Sequence, residues 1–357
     1  MNIELLHPDR LSPEQLALWD RIQKSEPALD SPYFRPEFTQ QVARVRRDVE
    51  VALLRDEKQI IGFFPFQRGL LNLGKPVGGK VSDYHGVIAP AGTQVDPLEL
   101  IRGCRLSGWD FDHLVTNLPT FEPFCAHATG SPFIDLSAGF EAYAQERRAA
   151  GSDELRRIGQ KMRKCERERG PLTLEFDCQD ESVLQTLMNW KSAQLKQSGF
   201  ADIFAFPWTV SLLKNILRES STDFSALMNV LRLGDRPVAM LYSMRSGPVL
   251  HSWIFAYDRE LAAYSPGSIL LLKVLEQLNT AGITKFDFGK GDERYKASLA
   301  NRTAPLWEGT VNCGGPGIWL LGSWRRTRDW LSNSGLGRAS ALPLKVLKPL
   351  REWFAHS

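Results

Sequence analysis

The chain has 357 residues, with 44 Lys plus Arg against 41 Asp plus Glu and a formal net charge of +3, so no chain-wide field drives it onto a polyanion and nucleic acid is not an expected partner. At 43% hydrophobic and 24% charged residues it reads as a well-buried globular protein with room for two cores or one fused double core. Cys104, Cys125, Cys165, Cys178 and Cys313 are odd in number and lack C-x-x-C spacing, which excludes the usual zinc and disulfide frameworks and points to reduced thiols in a cytoplasm.

The opening MNIELLHPDRL lacks a basic segment followed by an apolar one, and no stretch is long enough to cross a bilayer, so a cytoplasmic location is expected. Val49 to Leu54 and Ile60 to Phe66 form a hairpin pattern around the polar turn Arg55 to Gln59. A strand at Val81 to Ile88, a helix from Pro97 to Ser107 and a strand at Phe111 to Val115 follow.

Glu141 to Arg169 reads as an amphipathic helix or helix pair, with Leu155, Ile158 and Met162 at helical spacing. Its Arg156 to Arg169 stretch holds seven basic residues against Glu166 and Glu168. A solvated helix face and a grip on a polyanion both fit that composition.

Helices at Thr186 to Lys196 and Val210 to Glu219 lead into a second hairpin, Ser225 to Leu233 and Pro237 to Met244, around Gly234-Asp235-Arg236. A strand at His251 to Tyr257, a helix from Pro266 to Ala281 and a strand at Ile283 to Phe288 complete the series. Hairpin, strand, helix and strand thus recur in the same order, which suggests an internal duplication. The expected divisions are a first half over 1–138, a connecting helical region over 139–170, a second half over 171–315 and a tail over 316–357. That tail mixes Trp319, Trp324, Trp330 and Trp353 with basic residues, a composition suited to a membrane surface or to packing on the second half.

The sharpest helix start is Tyr264-Ser265-Pro266-Gly267-Ser268, where Ser265 can cap free amides and Pro266 suits the first helical position. Such an end offers unpaired N–H groups and a positive dipole to a diphosphate. After the next strand comes Asp287-Phe288-Gly289-Lys290-Gly291-Asp292-Glu293-Arg294-Tyr295-Lys296. Its carboxylates can take protons, Tyr295 can give one, its glycines admit a close ligand and its cations suit phosphate.

These elements, with Ser31 to Phe38, Gly62 to Gln67, Ser82-Asp83-Tyr84-His85-Gly86, Ala256-Tyr257-Asp258 and Ser265-Pro266-Gly267, resemble the CelD-like branch of the GNAT acyltransferases, relatives of the FemAB/FemX transferases. The resemblance spans roughly Ser31 to Val311. It implies an α/β fold of two tandem GNAT-like halves with mixed sheets and flanking helices, and an acyl-CoA, in the simplest case acetyl-CoA, as donor. A splayed strand through Phe255, Ala256 and Tyr257 would receive the pantetheine arm, and Ser265, Pro266, Gly267 and Ser268 the pyrophosphate. The sequence departs from the family's Q/R-x-x-G-x-G/A loop, since one of the two glycines is missing.

Acyl transfer needs a base, an oxyanion site and an acid for the leaving thiolate. Asp287 or His85 is the expected base and Tyr295 the acid. Asp83, Tyr84, Gly289, Gly291, Asp292 and Lys296 are expected to face the acceptor, an amine or hydroxyl of a sugar or envelope-polysaccharide precursor. An aminoacyl-tRNA donor, as FemX relatives use, and a catalytically silent subunit of a polysaccharide synthase are the alternatives. No H-E-x-x-H, Walker lysine loop or G-x-S-x-G elbow occurs, and no metal is expected.

Overall fold

The computed structural model describes residues 1–115, 118–221, 223–291 and 293–314. The tail expected over 316–357 and the candidate Asp292 lie outside the described residues. Contacts group the chain into two units. Of the described residues, the first takes Met1–Leu29, Pro36–Ala128 and 306–314, and the second Asp30–Arg35 and Thr129–Pro305.

The first unit opens with β1 (Asn2–Leu6), α1 (Pro13–Ser25) and α2 (Pro36–Val45). Ser12 and Gln15 form a reciprocal capping box and Pro13 sits in the first turn, so α1 starts where its chemistry dictates. Trp19 of α1 is fully buried and stacks on Phe63 at 4.9 Å. The expected first hairpin forms as β2 (Val49–Asp56) and β3 (Gln59–Arg68), antiparallel, followed by β4 (Leu73–Lys75), α3 (Pro97–Gly103) and β5 (Gly108–Leu114). Asp96 caps α3 by accepting from the amides of Leu98 and Glu99.

Two expectations fail here. Residues 81–88 form no regular strand, making isolated bridges from His85 to Leu114 and from Ile88 to Phe63. The place between β3 and β5 in the sheet is taken by β4, which pairs antiparallel with β3 and parallel with β5. Gly74 of β4 lets Leu106 pack where a Cβ would meet its Cδ1 at 2.7 Å, so the strand is too short and too bare for an alternation pattern to reveal. The helix also ends at Gly103 rather than Ser107, because Arg105 turns left-handed at φ 56°.

The second unit contains α4 (Phe140–Ala149), α5 (Glu154–Arg169), β7 (Leu172–Glu175), α6 (Glu181–Gln197), α7 (Pro207–Leu217), β8 (Phe224–Leu233), β9 (Arg236–Ser246), β10 (Val249–Tyr257), α8 (Pro266–Leu278), β11 (Lys285–Asp287) and α9 (Arg294–Leu299). Two strands cross the division: β6 (Cys125–Asp135), which joins the second unit from Thr129, and β12 (Arg302–Asn312), which joins the first from Leu306. The stretch expected as one helix or two is the pair α4 and α5, and its Tyr143, Ile158 and Cys165 are buried in the second unit's core.

Strand order is β1-β2-β3-β4-β5-β12 in the first unit and β7-β8-β9-β10-β11-β6 in the second. Each has an edge strand, an antiparallel hairpin, a parallel pair (β4 with β5, β10 with β11) and an antiparallel last strand. This is the mixed α/β arrangement and the recurring order that the sequence suggests. The last strands are exchanged: β6 follows β5 in the chain yet pairs with β11, and β12 follows β11 yet pairs with β5.

In the second unit α8 lies on the sheet with Ile269, Leu270, Val274, Leu275 and Leu278 essentially inaccessible. Burial of each such side chain is worth about 1.5–3 kcal/mol, which fixes the helix and so the position of its N-terminus. Among the described residues no helix is long and apolar enough to cross a membrane.

Candidate active site

In the second unit β10 and β11 run parallel for three residues, Val249–His251 against Lys285–Asp287. Beyond that point β11 ends while β10 continues to Tyr257 through a register irregularity at Ser252 to Ile254. The sheet opens, and a cleft of about 360 Å³ lies in the opening. Ser252, Phe255 and Tyr257 of β10, Ser265, Gly267, Ser268 and Leu271 around the start of α8, Lys191 and Gln194 of α6, and Phe288, Glu293 and Tyr295 line it.

Five of the seven expected donor residues, Ser265, Gly267, Ser268, Phe255 and Tyr257, thus share one cavity. Pro266 is buried in the first turn of α8, and Ala256, 2% exposed, borders a separate recess beside Asp258. The expected cap at Ser265 does not form. Its backbone is left-handed (φ 54°, ψ 58°), whereas a capping residue needs extended backbone to reach the amides. A non-glycine residue in that conformation costs about 1–2 kcal/mol. The Ser265 hydroxyl instead accepts from Lys161 Nζ of α5 at 2.8 Å. The first turn of α8 therefore keeps orphan N–H groups on the cleft side without a side-chain cap, and a lysine stands beside it. Gly267 has its own steric reason, since a Cβ there would collide with the ring of Phe255.

The segment after β11 is anchored from below. Asp287 is 1% exposed, and its Oδ1 accepts from Ser131 Oγ of β6 and from the Gly289 amide, both at 2.8 Å. His251 Nδ1 lies 3.7 Å from the same oxygen, and the ring of Tyr33 meets His251 edge-on at 5.0 Å. Asp287 is not among the cleft-lining residues. Lys296 is 5% exposed and points back into the loop, donating to the Lys290 carbonyl at 2.9 Å and pairing with Glu293 at 3.0 Å. Gly289 and Gly291 have φ of 71° and 144°, which glycine alone adopts without strain, and a Cβ on Gly291 would strike the Glu293 carboxylate.

These anchors predict a stability effect. Asp287→Leu leaves the Ser131 hydroxyl and the Gly289 amide without their acceptor and lowers unfolding free energy by about 2–4 kcal/mol in denaturant titration. Asp287→Asn keeps an acceptor oxygen and costs about 1 kcal/mol.

Of the carboxylates in this segment, Glu293 lines the cleft, and the Tyr295 phenol stands beside it. Tyr295 is 43% exposed as a whole residue, but desolvation of its phenol beside the loop, with Glu293 adding to it, pushes the group up to about 12, so it keeps its proton. Lys191 faces the same space, and burial lowers its pKa while Glu293 opposes the shift. Lys191 gives no signal in the sequence, because a lysine within an amphipathic helix does not show which cavity it faces. On the other side of the loop a second cleft of about 810 Å³ is lined by Thr129, Gly130 and Pro132 of β6, Lys290, Gly291, and Asn301 to Thr303.

His85, Asp83 and Tyr84 belong to the first unit. His85 is buried, with Nε2 2.9 Å from Asp112 Oδ1, and burial lowers its pKa against the pull of Asp112. Asp83 Oδ1 lies 3.8 Å from His113 Nε2, and Tyr84 is buried.

Residues 152–297 match the family model described as Acetyltransferase (GNAT) domain. No curated protein sequence matches the chain. Among solved structures, the chain is similar to FemX, with TM-score 0.54 at 10% identity over 89% of this chain and 99% of that one. It is similar also to the C-terminal domain of a putative lysylphosphatidylglycerol synthetase from Agrobacterium fabrum, with TM-score 0.52 at 15% identity over 87% and 94%. A tandem GNAT protein from the clavulanic acid biosynthesis pathway aligns over 88% and 100% with TM-score 0.48 at 11% identity. The opened sheet lies within the matched segment, and the chain carries a GNAT-type acyltransferase domain over residues 152–297.

Proposed function

We propose that the β10/β11 cleft binds an acyl-CoA, in the simplest case acetyl-CoA, and that the acyl group passes to an amine or hydroxyl of a sugar or envelope-polysaccharide precursor. GNAT domains in general use acyl-CoA, and the resemblance to the CelD-like branch supplies the acceptor class. The observation that carries the reading is the uncapped start of α8 at the mouth of an opened sheet, with Ser265, Gly267 and Ser268 lining the same cavity as Tyr295.

In this reading the pantetheine arm lies along Ser252 to Tyr257, and the diphosphate rests on the amides of Gly267 and Ser268 with Lys161 beside it. The acceptor enters by the cleft beneath Lys290 and Gly291. Its nucleophilic N–H or O–H gives its proton to Glu293 as it attacks the thioester carbonyl, and the collapsing intermediate expels the CoA sulfur, which takes the proton of Tyr295. Asp287, Lys296 and the two glycines act through the loop that carries these groups, and Asp287 is a positioning residue rather than the base.

Isothermal titration with acetyl-CoA and with CoA tests the donor. Micromolar binding is expected, and Ser268→Glu, which sets a carboxylate against the diphosphate, weakens it ten- to fiftyfold with an unchanged melting temperature. Absence of binding in the unaltered protein removes the reading in favour of a silent subunit.

The basic face of α5 favours a second reading, an aminoacyl-tRNA donor. Arg156, Arg157 and Arg167 have side chains 62%, 57% and 72% exposed. A polyanion on that face predicts affinity that falls steeply with salt, whereas acetyl-CoA binding changes little over the same range.

A further inference from the structure

Three metal-ligating side chains converge in the first unit, outside the cleft just described. His85 Nε2 and His113 Nδ1 each lie 2.9 Å from Asp112 Oδ1, and one donor atom from each of the three residues falls within 4.8 Å of the others. The side chains of His85, His113 and Asp112 are 1%, 14% and 35% exposed. The group therefore sits at the rim of the core and opens to solvent on the carboxylate side.

Two imidazoles and a carboxylate suit Zn²⁺ or another first-row divalent cation, with the remaining positions left to water. The groups behind the donors are one carboxylate and one competing cation. When His113 ligates through Nδ1 its other nitrogen faces Asp83 Oδ1 at 3.8 Å, and when Asp112 ligates through Oδ1 its other oxygen faces Lys80 Nζ at 2.9 Å. Ligating histidines are commonly held by outer carboxylates that fix the ring and its tautomer, and Asp83 stands on that side of His113. The fold supplies a reason for the tie, because residues 82–88 reach their neighbours through the isolated bridges at His85 and Ile88 rather than through a ladder.

We propose that His85, Asp112 and His113 bind one divalent cation of the zinc class, which fastens the irregular segment 82–88 to β5. A scan for metal motifs passes over this group because its donors come from two segments 27 residues apart.

The test uses full-length, tag-free protein stripped with a chelator and titrated with Co²⁺ while its visible absorption is followed. One equivalent is expected to saturate a d–d band, and Zn²⁺ to displace it. His113→Ala is expected to lose at least a hundredfold in affinity, and Lys80→Ala to gain roughly fivefold because it removes a partly exposed like charge. Asp112→Asn, which keeps the shape of the carboxyl and one acceptor oxygen for the two histidines, provides a second ligand variant if His113→Ala unfolds by circular dichroism. The proposal is overturned if the unaltered protein shows no band, or if a folded ligand variant titrates as the unaltered protein does. If both variants unfold, a rise of several degrees in the melting temperature of the unaltered protein on adding one equivalent of Zn²⁺ supports the site, and no rise overturns it.

Discussion

Glu293→Gln lowers kcat by two to three orders of magnitude while KM for the acyl-CoA stays within about threefold. Removing a positioned base costs 10²–10⁴ in rate, and the lower part of that range applies because an amine acceptor retains some nucleophilicity without help. Glutamine preserves the volume against Gly291, where space is tight, so the loop keeps its path. The pair with Lys296 is lost, but that ammonium retains the Lys290 carbonyl. A steady-state comparison against Asp287→Asn separates the two carboxyls. The base assignment requires the larger loss at Glu293, and the reverse order would return the role to Asp287.

Tyr295→Phe lowers kcat about a hundredfold and leaves donor affinity intact, since the ring still packs edge-on against Phe288 at 6.0 Å. The sign of the pH effect follows from the raised phenol. A tyrosine at its ordinary value of 10 would lose its proton and its use as an acid above pH 10, whereas one pushed up to about 12 keeps the proton through that range. The alkaline limb of kcat for the unaltered enzyme is therefore expected above pH 10. Burst kinetics that show thiolate release unaffected by Tyr295→Phe would remove the acid role.

Much of the second unit is legible in the sequence. The hairpin of β8 and β9, the strand β10 and the helix α8 are long, apolar and bounded by Gly or Pro, and periodicity reads such segments well. The part of the cleft at the start of α8 is legible for the same reason, because Ser265-Pro266-Gly267 marks that start in the chain as well as in space. What periodicity misses is short or irregular. β4 has three residues, one of them glycine, and β6 carries Thr129-Gly130-Ser131-Pro132. The sequence does not separate the carboxylates of the 287–296 segment, because burial is a tertiary property. Asp287 and Glu293 look alike in the sequence, but one accepts bonds inside the core and the other faces the cavity. Ser265 shows the same limit, as its left-handed backbone cannot be inferred from a residue type that ordinarily caps helices.

The exchange of β6 and β12 has a consequence for biogenesis. Thr310 of β12 bonds Asp110 of β5 across 200 residues of sequence, so the N-terminal sheet, although translated first, cannot close before the ribosome has passed the whole C-terminal half. The usual vectorial order, in which the N-terminal domain folds as it emerges, is thereby inverted at its last step. Severing the polypeptide between β5 and β6 would leave the first product with a sheet that lacks its sixth strand and the second with a strand, β12, that has lost its partner β5.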